Sequence, residues 1–522
     1  MQIGRALKQT SVKFTVAILV VTGAIHSQNQ DRPFRPVIPK TWDEKALADW
    51  VTPVAGLNVR PGHISSTDYY SVPEYNLRSY PVYMPGREPD GYWEMLQRIG
   101  AKPLIEPGTL KTEADWVRAG QRVFEEGTAA QLTTFDQEAI ANFRSKEFLE
   151  MQRAVPLPDG VLGTLRWVPT KQGVALSTLA CGGCHILFRS DGSRIAGAPA
   201  RAEAFRTRPF NPFGVKADIL ESQNHGVRGA APFDMGNATL GSRLYQAYGV
   251  PWLSNDPNQR LKTITESEYG ALVTEERNGG AITRWNGSPL FPAKIPDLIG
   301  LKDRKYIDHT ATHLHRDISD LMRYAAQVTF AEMTDFGPHR MLSAETKRVQ
   351  ARLPDEALYA LALYIYSLQP PPNPNPFDEA AKAGQNIFTR QGCPGCHTPP
   401  LYTNNKLTLA QGFTPPRDKP ASIDAMPVSV GTDPGLALST RKGTGYYKIP
   451  SLKGVWYRGH YLHDGSVGSL EEMFDPDRLR DSHVPEGYRP RGVERRAIKG
   501  HEFGLGLNAA ERRQLIAFLR TL

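Results

Sequence analysis

All four cysteines of the 522-residue chain fall in two copies of one pattern, Cys181-Gly-Gly-Cys184-His185 and Cys393-Pro-Gly-Cys396-His397. The chemistry of C-x-x-C-H is specific. Two thiols separated by two residues add across the two vinyl groups of one haem, and the adjoining His supplies an axial nitrogen to the iron. A thioredoxin-type redox pair would occur once and would not need His in the next position. A zinc site built from all four thiolates would keep the pairs close in sequence, whereas 212 residues separate Cys181 from Cys393. The expectation is two covalently bound haem c groups, held by Cys181, Cys184, Cys393 and Cys396, with His185 and His397 as iron ligands.

Haem attachment of this kind requires export, and the N-terminus carries the grammar for it. Residues 1–27 contain Arg5, Lys8 and Lys13, no acid, and the apolar run Phe14 to Ala24. That run is too short for an ordinary transmembrane helix, and a polar, then Pro-rich stretch comes after it, so cleavage is expected between Ala24 and Ser27. An uncleaved N-terminal anchor is the alternative; no other stretch reaches membrane-spanning length. The expected location is the periplasm or outside the cell. With the leader set aside, the formal charge of +8 falls to +5, dispersed along the chain. Such a surplus gives no warrant for nucleic-acid binding. Four cysteines exclude a disulfide scaffold, and 40% apolar with 22% charged residues is a globular composition.

The elements that must position the two motifs are themselves repeated. Ala119-Gly-Gln-Arg-Val-Phe124 and Ala383-Gly-Gln-Asn-Ile-Phe388 share the frame A-G-Q-x-[IV]-F. Leu353–Leu368 and Leu507–Leu522 are equally long and match Leu361 with Leu515, Tyr364 with Phe518 and Leu368 with Leu522, spaced as one helical face. Pro370 to Pro376 holds five prolines in seven residues and reads as a stiff connector. The predicted organisation is a leader (1–27), an extended Pro/Tyr-rich arm (28–111), an N-terminal haem domain (112–369), a linker (370–376) and a C-terminal haem domain (377–522).

The two halves are unequal. Cys181 comes 57 positions after Phe124, against five for Cys393 after Phe388, and Leu353 comes a further 168 after His185. Electron carriage alone needs no such elaboration; long insertions are where pocket walls, lids and partner surfaces are built.

Both segments resemble the class I cytochrome c fold, in which the frame is the first helix, its Gly allows close approach of the last helix and its Phe lies beside the haem. The resemblance implies a mainly α fold of two tandem cytochrome c-like haem domains with long irregular insertions and a small hairpin around the second haem. Ile449-Pro-Ser-Leu-Lys-Gly-Val-Trp456, Tyr461-Leu-His-Asp-Gly-Ser466, Ser469-Leu-Glu-Glu472 and Val430-Gly-Thr-Asp-Pro434 closely resemble the C-terminal module of bacterial di-haem cytochrome c peroxidases. That superfamily also includes di-haem rubber oxygenases and the enzyme that matures the quinone cofactor of methylamine dehydrogenase.

The resemblance implies a six-coordinate C-terminal haem that passes electrons to an N-terminal haem, where peroxide or dioxygen binds. Gly500-His501-Glu-Phe-Gly504 is similar to the rubber-oxygenase branch and implies His501 as second axial ligand of the C-terminal haem. Met426 is the alternative, while Met473 directly follows Glu472 and falls too early for the peroxidase pattern. His463, in good turn chemistry, is read as packing near the haem edge. On the distal side of the first haem, His309 and His313 are the catalytic candidates, expected on one face of a helix with His315 pointing elsewhere; His225 is a further candidate. Trp252 and Trp285 are candidates for an electronic bridge. A calcium ion occurs between the domains of the peroxidases, though no acidic loop identifies its site here.

The expected function is that of an exported peroxidase-type oxidoreductase. It would take electrons from a small cytochrome or cupredoxin donor and use hydrogen peroxide or dioxygen as oxidant. The alternatives are a di-haem oxygenase of an apolar substrate and a non-catalytic electron carrier.

Overall fold

The computed structural model describes residues 34–55, 62–130, 133–151, 154, 156–189, 192–200, 249–265, 268, 272, 281–282, 288–330, 334–335, 351–490 and 492–522. Two helix pairs repeat one packing solution. In the first, Thr112 and Asp115 form a capping box that starts helix Glu113–Glu126, whose buried Trp116, Ala119, Gly120, Val123 and Phe124 make one face. That face packs on helix Asp355–Ser367 so closely that a Cβ on Gly120 would sit 1.9 Å from the Ala360 carbonyl oxygen. In the second, Asp378 caps helix Glu379–Arg390, an Asn508/Glu511 capping box starts helix Ala509–Arg520, and a Cβ on Gly384 would lie 1.9 Å from the Gln514 carbonyl oxygen. Only glycine permits either backbone approach. The aromatic pairs repeat as well: Phe124 meets Tyr364 at 5.4 Å between ring centroids, and Phe388 meets Phe518 at 5.3 Å.

The closing helices differ in setting. Helix Asp355–Ser367 is also covered on its far side by helix Ile318–Phe330, so seven of its residues are buried around most of its circumference. Helix Ala509–Arg520 buries only the stripe Leu515, Ile516, Phe518 and Leu519.

Helix accounts for 34% of the described residues and strand for 13%, so they are helix plus sheet rather than mainly helical. The 57 residues before Cys181 supply much of the strand. Val161–Thr170 and Gly173–Thr178 pair antiparallel from Leu165↔Thr178 to Thr170↔Gly173, and Tyr80–Tyr83 adds a third strand. This sheet has its own core, in which Val82, Leu96, Phe143, Leu165, Trp167 and Leu176 are buried together. A second three-stranded sheet orders Leu407–Leu409 between Ala425–Ser429 (parallel) and Tyr446–Lys448 (antiparallel).

The arm before Thr112 does more than wrap over the rest. It carries short helices at Glu44–Leu47, Ser66–Ser71 and Tyr92–Ile99, and it buries Trp42, Trp50 and Tyr69 in the main core with Trp116, Phe124 and Leu361. Helices of four to eight residues are too short to show a helical period in sequence. The Pro370–Pro376 stretch has no regular structure and is tethered by an Asn373 side-chain bond to the Arg520 carbonyl. Among the described residues no helix is long and apolar enough to cross a membrane; the leader lies outside them.

Candidate functional site

The strand Gly173–Thr178 leads directly into the first motif. Ala180 N–H donates to the Gly127 carbonyl, and Cys181–His185 forms a single helical turn. On that turn Cys181, Cys184 and His185 stand three and four residues apart and share a face. The chain then turns back as a hairpin, Ile186–Phe188 with Arg194–Ala196, and Gly197 and Ala200 donate to the His185 and Cys184 carbonyls. The candidate His225 lies outside the described residues.

In the second motif, a 3-10 turn at Cys393–Gly395 comes two residues after helix Glu379–Arg390, and His397 N–H closes on the Cys393 carbonyl at 2.8 Å. The thiols are unpaired with each other, and burial pushes Cys393 up to about 11. His397 is buried, and its Nδ1 lies 3.2 Å from the Tyr402 carbonyl, which assigns the proton there and leaves Nε2 as the metal-facing nitrogen.

Facing it is His501, with ring centroids 6.3 Å apart. Two imidazoles bound to one metal from opposite sides through bonds of about 2 Å have centroids roughly 6 Å apart, so this spacing fits a shared iron. Burial lowers both imidazoles to about 4, which keeps them neutral and able to ligate. His501 Nδ1 is buried without a hydrogen-bond partner.

The backbone of His501 is held from three directions. Its φ of +49° is a left-handed conformation uncommon for a non-glycine residue. Its N–H donates to the Val430 carbonyl at 2.6 Å, within the Val430–Pro434 segment. The fully buried Arg478 donates to the carbonyls of Met473, Ile498, Gly500 and His501. Neither Arg478 nor Tyr402 stands out in the sequence.

Met426 sits elsewhere. Its sulfur is 3.8 Å from Cys396 Sγ and 3.4 Å from Asn404 Nδ2, beside the attachment thiol. Met473 is packed in the core of this half. His463 is stacked on Tyr447 at 4.3 Å between centroids.

The His309–His315 segment is not helical. Antiparallel bridges Tyr306↔Leu314 and Val51↔His313, with Ala311 at φ +54°, fold it into an irregular turn, so His309 and His313 do not share a helix face. Each imidazole has its own partners. His309 Nε2 meets the Lys294 carbonyl at 2.8 Å, His313 Nδ1 meets Asp308 Oδ2 at 2.6 Å, and His315 joins the Arg304 carbonyl and the Tyr366 hydroxyl at 2.7 and 2.6 Å. Trp252 lies under the Arg441 guanidinium, and Trp285 is outside the described residues. Trp456 crosses the seam between the halves as well, packing on the first core with Arg189 over its ring at 5.6 Å.

At the seam itself, Asp297 accepts from the Tyr457 hydroxyl at 3.1 Å and stands 3.9 Å from both Arg304 and Arg458. Among the described residues no three His, Cys, Asp or Glu side chains gather as a metal-ion cluster.

No protein-family profile matches the chain. The methylamine utilization protein MauG of Methylorubrum extorquens is 30% identical over 148 residues, which are 27% of this chain and 34% of that protein. The matched segment thus spans about a third of this curated relative's length. Two solved structures align in part. One is a MauG-like protein associated with microbial copper homeostasis (16% identity, TM-score 0.29, covering 55% of this chain and 88% of that one). The other is hydrazine synthase of Kuenenia stuttgartiensis (16% identity, TM-score 0.26, covering 46% and 73%). Over those 148 residues the chain is similar to MauG, in keeping with its two C-x-x-C-H motifs and its duplicated helix pair.

Proposed function

We propose that the chain is an exported di-haem c-type cytochrome oxidoreductase of the peroxidase type. Residues 112–369 and 377–522 form its two haem domains, joined by the 370–376 linker and preceded by a leader cleaved near residue 27. Electrons from a small cytochrome or cupredoxin enter at the Cys393/Cys396/His397 haem and reach the Cys181/Cys184/His185 haem, where peroxide is reduced. Bound haem supplies the one-electron chemistry and the oxidant site. The protein's part is to fix the ligands and to make the two environments unequal.

The observation that carries this reading is the facing pair His397 and His501 at 6.3 Å. Two neutral, buried imidazoles would saturate one iron and leave it suited to passing electrons, so the oxidant would fall to the other motif, on which the large insertions are built. Within this reading His313, oriented by Asp308, is the acid–base candidate of the first half. His309, the other candidate, lines the seam with its Nε2 at the Lys294 carbonyl. Calcium gains no support at the seam, where Asp297 accepts from the Tyr457 hydroxyl and has the guanidinium groups of Arg304 and Arg458 3.9 Å away.

A second reading is favoured by the position of His501 itself, since a His ligand in this segment is the pattern similar to the oxygenase branch. In that reading the first haem acts with dioxygen on an apolar substrate. Assay of the purified holoprotein decides between them. Peroxide turnover with a reduced cytochrome or cupredoxin supports the peroxidase. Dioxygen uptake with a polymer or lipid, without peroxide turnover, overturns it in favour of the oxygenase.

A further inference from the structure

A small cavity of about 50 Å³ lies at the seam between the halves, beside the loop that follows the second motif. Its walls include Pro450 and Thr403, the latter next to the residue whose carbonyl meets His397. Its charge is lopsided: Lys294, Arg304, Lys406, Lys448 and Arg458 line it, with Asp297 the one carboxylate among the lining residues. Lys406 is shared with Asp424 outside the cavity, at 3.7 Å.

Asp297 does not satisfy the two arginines. It stands 3.9 Å from each, beyond hydrogen-bond range. Arg458 gives one bond, from Nη2 to the Ser451 carbonyl at 2.6 Å, and Arg304 donates to the Asp297 and Ile299 carbonyls. In both, the Nε–H is buried with no acceptor. Buried guanidinium donors without acceptors, in a pocket with a surplus of cations, are costly unless an anion completes them.

We propose that this cavity receives carboxylates, namely the propionate groups of the haem attached at Cys393 and Cys396. The inference rests on the reading that His397 and His501 share that haem. Attachment through the thiols fixes the vinyl edge of the ring and so leaves the two carboxylates at another edge, within the same half of the molecule and in need of cationic partners. The seam cavity offers such partners beside His397. Because Arg304 comes from the first half and Arg458 and Lys448 from the second, seating the carboxylates ties the halves together around the electron-passing haem. Nearby cations also favour the reduced iron, so the cavity sets a higher reduction potential than the ring would have without it.

The test is a potentiometric titration of the holoprotein, tracking the low-spin spectrum of the His397/His501 haem. Arg458→Gln is expected to lower its reduction equilibrium at least tenfold, 59 mV for one electron. Lys448→Gln, at a half-buried position whose Nζ donates to the Tyr306 and Ile307 carbonyls, is expected to shift it the same way by a smaller factor. Lys382→Gln, an exposed cation paired with Glu379, is expected to leave it unchanged. If Arg458→Gln yields no folded protein, Lys448→Gln against Lys382→Gln carries the test. An unchanged potential in the cavity variants of a two-haem protein overturns this inference alone. A saturable shift when inorganic phosphate is added to the unsubstituted protein also overturns it, because the cavity would then be open to free anions. Absence of a bis-imidazole low-spin haem in the unsubstituted protein would instead fell the reading beneath it.

Discussion

The two halves solve the same packing problem and then part company. In each, a glycine in the frame A-G-Q-x-[IV]-F lets two helix backbones touch, at Ala360 in one and Gln514 in the other, and in each an aromatic pair closes beside that contact. Beyond the helix pairs the halves diverge. The second motif comes two residues after its helix and is faced by His501, whose loop is clamped by Arg478. The first motif arrives only after a sheet with its own core, and its closing helix is buried on two sides. In the proposed reading the shared part fixes where a haem would be attached, and the unshared part what each iron would be free to do.

Breaking the shared part gives the largest effect. Gly120→Ala and Gly384→Ala each drive a methyl into a carbonyl oxygen, and each is expected to destabilise its helix pair by about 3 kcal/mol. Denaturant unfolding of the two variants checks this. Loss in one and not the other would mean that the pairs are not equivalent.

Next comes the clamp found only in the second half. Arg478→Met leaves four carbonyls without their donor and is expected to cost about 2 kcal/mol. It should also convert part of the bis-imidazole spectrum to high spin, and Arg478→Lys should restore part of that signal. A full low-spin spectrum in Arg478→Met would show that the loop holds His501 without it.

His501→Gly is expected to remove the low-spin signature of one haem while leaving the other spectrum and the fold intact. The smallest effect belongs to Met426→Leu, a volume-conserving swap expected to cost under about 1.5 kcal/mol and to leave both spectra unchanged. A spectral change there would move the axial ligand from His501 to Met426.

How legible each feature is in the sequence depends on how local its signal is. The motifs, the frame and the closing helices are written in residues close along the chain, so their types and spacing suffice. The sheet before Cys181 is hidden because Val161–Thr170 is buried on both faces, which erases the alternation that marks a half-exposed strand. The four-residue spacing of His309 and His313 suggests a helix, yet the shape of that segment is set by the bridges Val51↔His313 and Tyr306↔Leu314, which no local pattern announces. Arg478 and Arg458 act through carbonyls brought near by the fold, and a carbonyl has no signature in the sequence. His501 stands out through resemblance; its strained backbone and its alignment with His397 belong to the structure.

The central claim is that the two motifs hold unlike irons, one closed by His501 and one open to oxidant. Electron paramagnetic resonance of the holoprotein, recorded through a reductive titration with and without cyanide, tests it most directly. The account predicts one low-spin bis-imidazole signal that ignores cyanide and disappears in His501→Gly, together with a second signal that cyanide changes. Two low-spin signals that are both indifferent to cyanide at every stage of reduction would contradict it.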